Sequence, residues 1–151
     1  MATTTATITL ASSDIADNNI SISNTATLSK AGSTAGLDKT SGLRRRTLAA
    51  TTSVDLIQLD HFQETGEVLT ENKAAKVYIK NTGTSTAQCV KVGIQNGAGT
   101  LEEIGWLYGG DWMFFPYSAV WTEALSANNQ DIDVTPSSAA SVTLEYMIIF
   151  E

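Results

Sequence analysis

Apolar and polar residues alternate with a period of two along much of the chain. The run TATITL places Ala6, Ile8 and Leu10 on one side and threonines on the other, and NISISNTATLSKAG repeats the alternation through Ile20 and Ile22. This period is typical of a strand with one buried face. The flanking segments SSDIADNN and AGSTAG are rich in turn-forming residues, so two short strands are predicted in this region.

The rest of the chain predicts a series of β-hairpins. AAKVYIK and AQCVKVGI alternate on either side of NTGTST, so Val77 and Ile79 are expected to face Val90 and Val92 across a turn. QNGAG and GGD supply two further turns, and QDIDVTP with SVTLEYMIIFE forms a last pair. The longest helix candidate, AVWTEALSANN, is short and lacks an N-cap. We therefore predict an all-β fold, an antiparallel, jelly-roll-like β-sandwich with an extended N-terminal arm.

Aromatic residues and net charge divide the chain into two parts. The 3 Trp, 4 Tyr and 4 Phe all lie at Phe62 or beyond. Up to His61 acids and bases are equal in number, so the net charge of -7 belongs to the remainder. Strands without aromatic side chains bury little apolar area, which is worth about 25 cal/mol per Å². We expect residues 1–42 to form an extended arm with short strands, stabilised by the body or by a neighbouring molecule, and residues 43–151 to form the β-sandwich body.

Composition argues against several classes of protein. With 151 residues, of which 42% are apolar, the chain can bury a real core. The acidic balance disfavours nucleic acid as the main partner, because phosphate binding needs clustered Lys and Arg. No apolar run is long enough to span a bilayer, and the start MATTTATITL lacks the regions of a signal peptide. The single cysteine excludes an internal disulfide. The sequence therefore predicts a soluble protein that is made in a reducing cytoplasm and does not contact membranes.

Residues that usually carry catalysis are scarce. His61 and Cys89 are the single residues of their types, and their spacing suggests neither the orienting group nor the oxyanion hole that a Cys–His pair requires. A half-buried thiol is the favoured interpretation of Cys89. Zinc would need more ligands, and no P-loop, GxGxxG or GxSxG occurs. We predict no enzyme activity and no cofactor.

The segment NNQDID is a weak candidate for a cation site. Asp131 and Asp133 fall on the same side of a predicted strand, after Asn128 and Asn129. Oxygen ligands of this kind could hold Ca²⁺, but neither EF-hand spacing nor a bidentate Glu accompanies them. A polar turn that leads into a solvated strand face is favoured, so no metal site is predicted.

The segment GLRRRTLAAT contains the densest basic patch of the chain. The patch is too short for a nucleic-acid site on an acidic body. A solvated loop and an ion-pairing contact with carboxylates of a partner are about equally supported, since the planar guanidinium suits such pairing. The second alternative makes Arg44, Arg45 and Arg46 candidate contact residues.

The stretch IGWLYGGDWMFFPYS, residues 104–118, concentrates aromatic residues around a Gly-Gly-Asp turn. Both faces of the predicted strands are apolar, whereas a strand with one side in water has one apolar face. A sugar-binding platform would set one or two aromatics among polar groups, and here the polar groups are confined to the turn. A hairpin covered by the core on one side and by a neighbouring chain on the other is favoured. The candidate contact residues are Trp106, Tyr108, Trp112, Phe115 and Tyr117, with Trp112 and Phe114 on the wall opposite Phe115 and Tyr117.

Four phrases together resemble the small virion structural proteins of tailed bacteriophages, most closely the head decoration (cement) proteins. They are LRRRTLAATTSVDLIQLD, KVYIKNTGTSTAQCVKVGI, GWLYGGDWMFFPY and SVTLEYMIIFE, and the resemblance covers Leu43 to Glu151. It implies a β-sandwich that assembles as a homotrimer on the capsid exterior, binds the major capsid protein and extends its arms to neighbouring capsid subunits. It implies no catalytic residues. The long N-terminal segment without aromatic residues departs from the family and would also suit a neck, tail or fibre component.

The expected function is that of a non-enzymatic virion protein that decorates and stabilises a capsid. The alternative is a carbohydrate-binding or receptor-binding module of a phage tail, neck or head fibre, which would use Trp106, Asp111, Trp112 and Tyr117. Quenching of tryptophan fluorescence by glycans would favour this alternative. Binding to expanded heads would favour the decoration protein.

Overall fold

The computed structural model describes residues 3–13, 19–58, 73–95, 100–117, 131–137 and 140–151. Within these ranges the chain forms strands, turns and bends and no helix, as the alternating pattern predicts. The candidate helix AVWTEALSANN, residues 119–129, lies outside the described residues. The strands, in chain order, are β1 (Thr5–Ser12), β2 (Ile20–Thr27), β3 (Lys39–Thr40), β4 (Arg44–Leu48), β5 (Val54–Ile57), β6 (Ala75–Asn81), β7 (Val90–Gln95), β8 (Leu101–Leu107), β9 (Trp112–Tyr117), β10 (Ile132–Pro136) and β11 (Val142–Phe150).

Two antiparallel sheets form a β-sandwich, and this confirms the predicted fold class. One sheet has four strands in the order β5-β10-β7-β8. The other has the order β3-β11-β6-β9, and β4 also pairs with β11, beyond the short β3. Strands β1 and β2 form a separate two-stranded sheet, the arm hairpin. From β5 onward the chain passes repeatedly from one sheet to the other, which is the jelly-roll-like character of the body.

The core lies between the two sheets and is built from alternate residues of their strands. In β6 and β11 every second residue is buried, because the period of two sends successive side chains to opposite faces of a sheet. Most core side chains are aliphatic, whereas the largest fully buried side chain is the aromatic ring of Phe150. The core residues are Leu48, Leu56, Ile57, Ala75, Val77, Ile79, Val90, Val92, Leu107, Tyr117, Ile132, Val134, Val142, Leu144, Tyr146, Ile148 and Phe150.

Several predicted hairpins are wrong. Strands β6 and β7 flank NTGTST but lie in different sheets, so Val77 and Val90 both belong to the core between the sheets and are not partners in a hairpin. The pairs β8–β9 and β10–β11 are likewise split between the sheets. The antiparallel pairing of β7 with β8 is confirmed, and the predicted Asn-Gly turn between them, residues 96–99, lies outside the described residues. Turn signals show where a strand ends, but in a sandwich the next strand can enter either sheet.

The predicted arm contains residues that join the sandwich. Lys39 and Thr40 of β3 pair with Phe150 and Ile149 of β11, and Leu37 just before them is fully buried. The part that stands apart from the two large sheets is therefore the arm hairpin, Thr5–Thr27, which lies within the predicted range 1–42.

Candidate interaction surface

The arm hairpin has one apolar face and one hydroxyl-rich face. Its register places Leu10 opposite Ile22 and Thr7 opposite Thr25, and residues directly opposite each other share a face. On the hydroxyl face, Thr7 Oγ1 and Thr25 Oγ1 are 2.8 Å apart, which is hydrogen-bonding distance. Side chains on both faces are largely exposed, and Leu10 and Ile22 are each 55% exposed. The apolar face carries Ala6, Ile8, Leu10, Ile20, Ile22 and Ala26, together with Asn24 opposite Ile8 and Ser12 opposite Ile20.

The base of the hairpin is anchored to the body through backbone hydrogen bonds. The Leu28 amide donates to Thr4 O and the Leu37 amide to Leu28 O, each at 2.8 Å, while Thr4 Oγ1 donates to Leu37 O at 3.2 Å. A cavity of about 260 Å³ lies beside this anchor, lined by Thr4, Leu37, Asp38, Lys39, Thr40, Met147 and Ile149. The hairpin thus starts from a fixed base while its strands extend into solvent.

The arginine triplet belongs to a strand and not to a loop. Arg44, Arg45 and Arg46 lie on β4, beside β11. Their guanidinium groups interact with groups of the same chain. Arg44 donates to Ser41 O at 3.0 Å, Arg45 pairs with Glu145, and Arg46 donates to Asp55 O at 3.0 Å. The hydrogen bond from Arg45 lowers the pKa of Glu145. These contacts stabilise the edge of the body, and a contact with a partner stays a prediction.

The aromatic stretch contributes to two different sheets. Trp106 lies on β8 of the four-stranded sheet, whereas Trp112 begins β9 of the five-stranded sheet. On β9 the predicted alternation holds. Trp112 and Phe114 face outward beside Lys80 and Tyr78. Met113, Phe115 and Tyr117, which alternate with them, face the core. Ser118 lies outside the described residues. The hairpin predicted here is wrong, but the two opposite walls of β9 exist.

The structure places the five aromatic candidates in two environments. Trp106, Tyr108 and Trp112 are 44%, 48% and 52% exposed. Phe115 packs against the core and Tyr117 is part of it. Burial, together with the charge of Asp131, raises the pKa of the Tyr117 phenol. The exposed three are accessible to a partner, whereas Tyr117 contributes to folding.

The turn between β8 and β9 is held together by its own polar groups. Asp111 Oδ2 accepts from the Tyr108 amide at 2.9 Å, and the Asp111 amide donates to Tyr108 O at 2.9 Å. Gly110 has a φ of 93°, which an L side chain rarely adopts. A Cβ on Gly109 would come within 2.7 Å of the Ser85 backbone. Asp111, the polar residue of GGD, therefore stabilises the turn by its hydrogen bonds with Tyr108.

The four residues of the glycan-platform alternative do not share one surface. Tyr117 is buried in the core. Trp106 and Trp112 belong to different sheets, and Asp111 caps the turn between them. A platform would have to be built from another set of residues, for example Trp112 and Phe114 with their neighbours on β6.

The predicted solvated face at Asp131 and Asp133 is wrong. The two residues are 1% and 5% exposed. The pairing of β10 with β5 sets Asp133 opposite Asp55, and Gln95 Nε2 lies 3.4 Å from Asp133 Oδ2. Among the described residues no group of three or more His, Cys, Asp or Glu could hold a metal ion. Asn128 and Asn129 lie outside the described residues.

The Cys–His pair cannot be described, because His61 lies outside the described residues. Cys89 is a free, half-buried cysteine, as the sequence predicted. In the parts of the chain that the structure describes, no helix is long and apolar enough to cross a membrane.

Comparisons with known proteins give one structural likeness. No protein-family model matches the chain, and no curated protein matches it. Among solved structures, the fold is similar to a chain from work on Bacillus endospore appendages, described as "a novel family of disulfide-linked pili". The likeness has 12% sequence identity, covers 78% of this chain and 94% of that chain, and has a TM-score of 0.43. A TM-score of this size supports no inference about function.

Proposed function

We propose that this chain is a non-enzymatic structural protein that attaches to a larger assembly, specifically a head decoration protein of a tailed bacteriophage. The arm hairpin carries the proposal. Its two strands contain no charged residue, and its apolar face is exposed to solvent. The sequence resemblance supplies the capsid as the assembly and the major capsid protein as the partner.

Physical chemistry favours a docking role for such a hairpin. An isolated two-stranded sheet is marginally stable in water, so a partner surface adds the packing that the hairpin lacks. Fully burying one Leu or Ile side chain contributes about 1.5–3 kcal/mol. Four such side chains, Ile8, Leu10, Ile20 and Ile22, lie on the apolar face. Because these four side chains are 37–55% exposed, docking makes only part of this energy available to offset the cost of association.

The edges of the hairpin suit addition to another sheet. Among the described strands, β1 and β2 pair only with each other, so each has one edge without a neighbouring strand. Natural edge strands are often protected by Lys, Pro or bulges. Neither Lys nor Pro occurs in β1 or β2, and their register is continuous. The hairpin would extend a sheet of a capsid subunit, with the acidic body facing outward.

The test compares the two faces of the hairpin. The variant Leu10→Ser with Ile22→Ser removes one cross-strand pair from the apolar face, and Thr9→Ala with Ser23→Ala removes the neighbouring pair from the hydroxyl face. Each purified variant is added to heads of the encoding phage that lack this protein, and bound protein is measured after sedimentation. We expect the first variant to lose binding by on the order of a hundredfold and the second to bind within about threefold of the wild type.

Stability is the control for this comparison. Both pairs are exposed, so both variants should melt within about 2 °C of the wild type. Absence of the chain from purified particles of the encoding phage would contradict the proposal. Equal binding by the two variants would contradict the docking role of the apolar face.

A further inference from the structure

The cavity at the base of the arm hairpin has an apolar lining and room for a side chain. Its volume is about 260 Å³. Leu37, which is fully buried, and Met147 and Ile149, which are half-buried, supply its large apolar side chains. An apolar cavity of roughly 150 Å³ is large enough to bind benzene. The cavity therefore has space for the side chain of a leucine, a methionine or a phenylalanine.

The hydroxyl groups of the lining are already used within the chain. Thr4 Oγ1 donates to Leu37 O at 3.2 Å, and Thr40 Oγ1 donates to Ile148 O at 2.9 Å. Each hydroxyl hydrogen thus has an acceptor in the backbone. The two threonines present their methyl groups to an occupant and offer it no hydroxyl hydrogen.

The charged groups of the lining also interact within the chain. The Asp38 carboxylate forms an ion pair with Lys30 at 2.7 Å. Lys39 Nζ lies 5.8 Å from the centroid of the Phe150 ring, in a cation–π contact. A charged occupant would have to compete with these contacts, whereas an apolar occupant leaves them in place. The lining therefore favours an apolar occupant.

The cavity is continuous with the apolar face of the arm hairpin. The hydrogen bond from the Leu28 amide to Thr4 O extends the pairing of β1 with β2 by one step toward the body. The side-chain period of two puts Thr4 on the same face as Ala6 and Ile8, and Thr4 lines the cavity. Exposure on this face falls from 55% at Leu10 to 42% at Ile8 and 5% at Leu28. The apolar face thus leads from solvent to the cavity.

The opposite wall of the cavity belongs to the outer face of the five-stranded sheet. Ile148 and Phe150 of β11 are buried in the core, so Met147 and Ile149, which alternate with them, face outward. The cavity lies where this outer face meets the arm hairpin. A polypeptide segment that packs on the apolar face of the hairpin therefore reaches the cavity at its base.

We infer that the cavity binds one large apolar side chain of the capsid subunit, on the segment against which the arm hairpin packs. The inference rests on the proposed function for the identity of this partner, and it deepens that function by naming where the contact is anchored. Protein interfaces concentrate their binding energy in a few side chains that fill pockets near an apolar centre. Backbone hydrogen bonds fix the base of the hairpin beside Leu37, so the cavity is formed before binding and little ordering is required.

Filling the cavity from within tests the inference. Ile149→Trp places an indole at the cavity, and the control Thr143→Trp places one on the same face of β11, about 20 Å away. Each purified variant is added to heads of the encoding phage that lack this protein, and bound protein is measured after sedimentation. We expect Ile149→Trp to lose binding by on the order of tenfold or more and Thr143→Trp to bind within about threefold of the wild type.

Folding is checked by circular dichroism melting of every variant. Position 149 and position 143 are both half-buried on the outer face of β11, and neither contributes to the apolar face of the hairpin. If Ile149→Trp does not fold, Met147→Ala takes its place. It removes part of the cavity wall without adding bulk, and we expect it to weaken binding about fivefold.

A photoreactive methionine analogue identifies the occupant. The analogue has nearly the shape of methionine, and at Met147 it becomes part of the cavity wall. The complex with heads is irradiated, and mass spectrometry locates the crosslinks that start at position 147. We expect them on an apolar residue of the capsid subunit. Met113 packs against the core, so crosslinks that start there should stay within the chain.

Failure of the inference and failure of the proposed function give different results. A wild-type chain that does not bind heads contradicts the proposed function, and the inference with it. A wild type that binds, together with Ile149→Trp and Thr143→Trp variants that bind equally to each other, overturns the inference alone. Crosslinks from Met147 to a second copy of the chain, or to no protein, overturn it as well.

Discussion

Asp133 lies directly opposite Asp55 where β10 pairs with β5, and it is 5% exposed. Burial, a hydrogen bond with Asp55 and the negative charges of Asp55 and Asp131 raise the pKa of Asp133 to about 7. Two ionised carboxylates in a buried site repel each other and lack water, so the protonated form of Asp133 is favoured in the fold. This relationship makes stability depend on pH near neutrality.

We predict that the protein becomes less stable as pH rises from about 4 to about 7. The folded-state pKa of Asp133 is above its ordinary value of 3.8, so over this range the folded state binds more protons than the unfolded state and unfolding is favoured as pH rises. The loss is expected between the ordinary pKa of 3.8 and the raised pKa of about 7. Urea unfolding at pH 5 and pH 8 measures it.

Asp133→Asn is the matched variant for this prediction. The amide keeps the shape of the side chain and carries no charge, so the variant should be nearly as stable at pH 8 as at pH 5. Asp38 and Glu145, whose pKa values are lowered by hydrogen bonds to Lys30 and Arg45, affect stability as pH falls below their ordinary range and do not interfere. A wild type with equal stability at pH 5 and pH 8 would show that Asp133 does not titrate in this window.

The alternation along β6 was sufficient to predict that Val77 and Ile79 share one face of their strand. Val77 and Ile79 are buried as the pattern predicts, because a side-chain period of two assigns each residue to a face without reference to its neighbours. The same pattern did not predict which strands pair with each other. NTGTST has the composition of a hairpin loop, yet the chain crosses the core there, since both sheets of a sandwich present the same alternation to it.

The environment of the acidic residues could not be predicted from the same pattern. Asp133 alternates with Ile132 and Val134, which is also what a solvated outer face would give. It is buried on β10, an inner strand of the four-stranded sheet, opposite Asp55. The outward-facing residues of β6 did have a sequence signal, the alternation of Lys76, Tyr78 and Lys80 in KVYIK, but the strands beside them were not predicted.

Substitutions at Trp112 and Phe115 should have different effects on folding. Phe115 packs against the core, whereas Trp112 is 52% exposed on the outer wall of β9. We expect Phe115→Ala to lower the free energy of unfolding by about 3 kcal/mol and Trp112→Ala to change it by less than about 1 kcal/mol. Urea denaturation of the two variants measures both values. Equal losses would mean that the two walls of β9 are not distinct.

Asn81 should be among the polar residues on which stability depends most. It is fully buried, its Nδ2 donates to Gln88 O and Leu107 O, and its Oδ1 accepts from the Gly83 amide. Asn81→Ala leaves these backbone groups without partners, at a cost of about 1–3 kcal/mol for each unsatisfied group. Thermal unfolding with circular dichroism measures the loss.

Asn81→Asp separates hydrogen bonding from shape. The carboxylate fits the same space but cannot donate to the two carbonyl oxygens, and burial penalises its charge. We expect this variant to be less stable than Asn81→Ala at pH 7 and to recover part of the difference at pH 4, where its carboxyl can be protonated. Stability equal to the wild type at pH 7 would contradict the assigned donors.

Two glycines on adjacent strands provide the last prediction. Gly93 lies at the irregularity in the pairing of β7 with β8, where a Cβ would come within 2.5 Å of Glu102 O and 2.6 Å of the Leu101 side chain. Gly105, opposite Val92 on β8, has no atom within 4 Å of the same position. Because a backbone oxygen cannot move without displacing its strand, Gly93→Ala should lower the free energy of unfolding by about 1–3 kcal/mol. Gly105→Ala should be neutral or stabilise by about 0.4–1 kcal/mol, since alanine restricts the unfolded chain. Urea denaturation of both variants decides the matter, and a Gly93→Ala variant as stable as Gly105→Ala would show that β8 can shift away from β7 without cost.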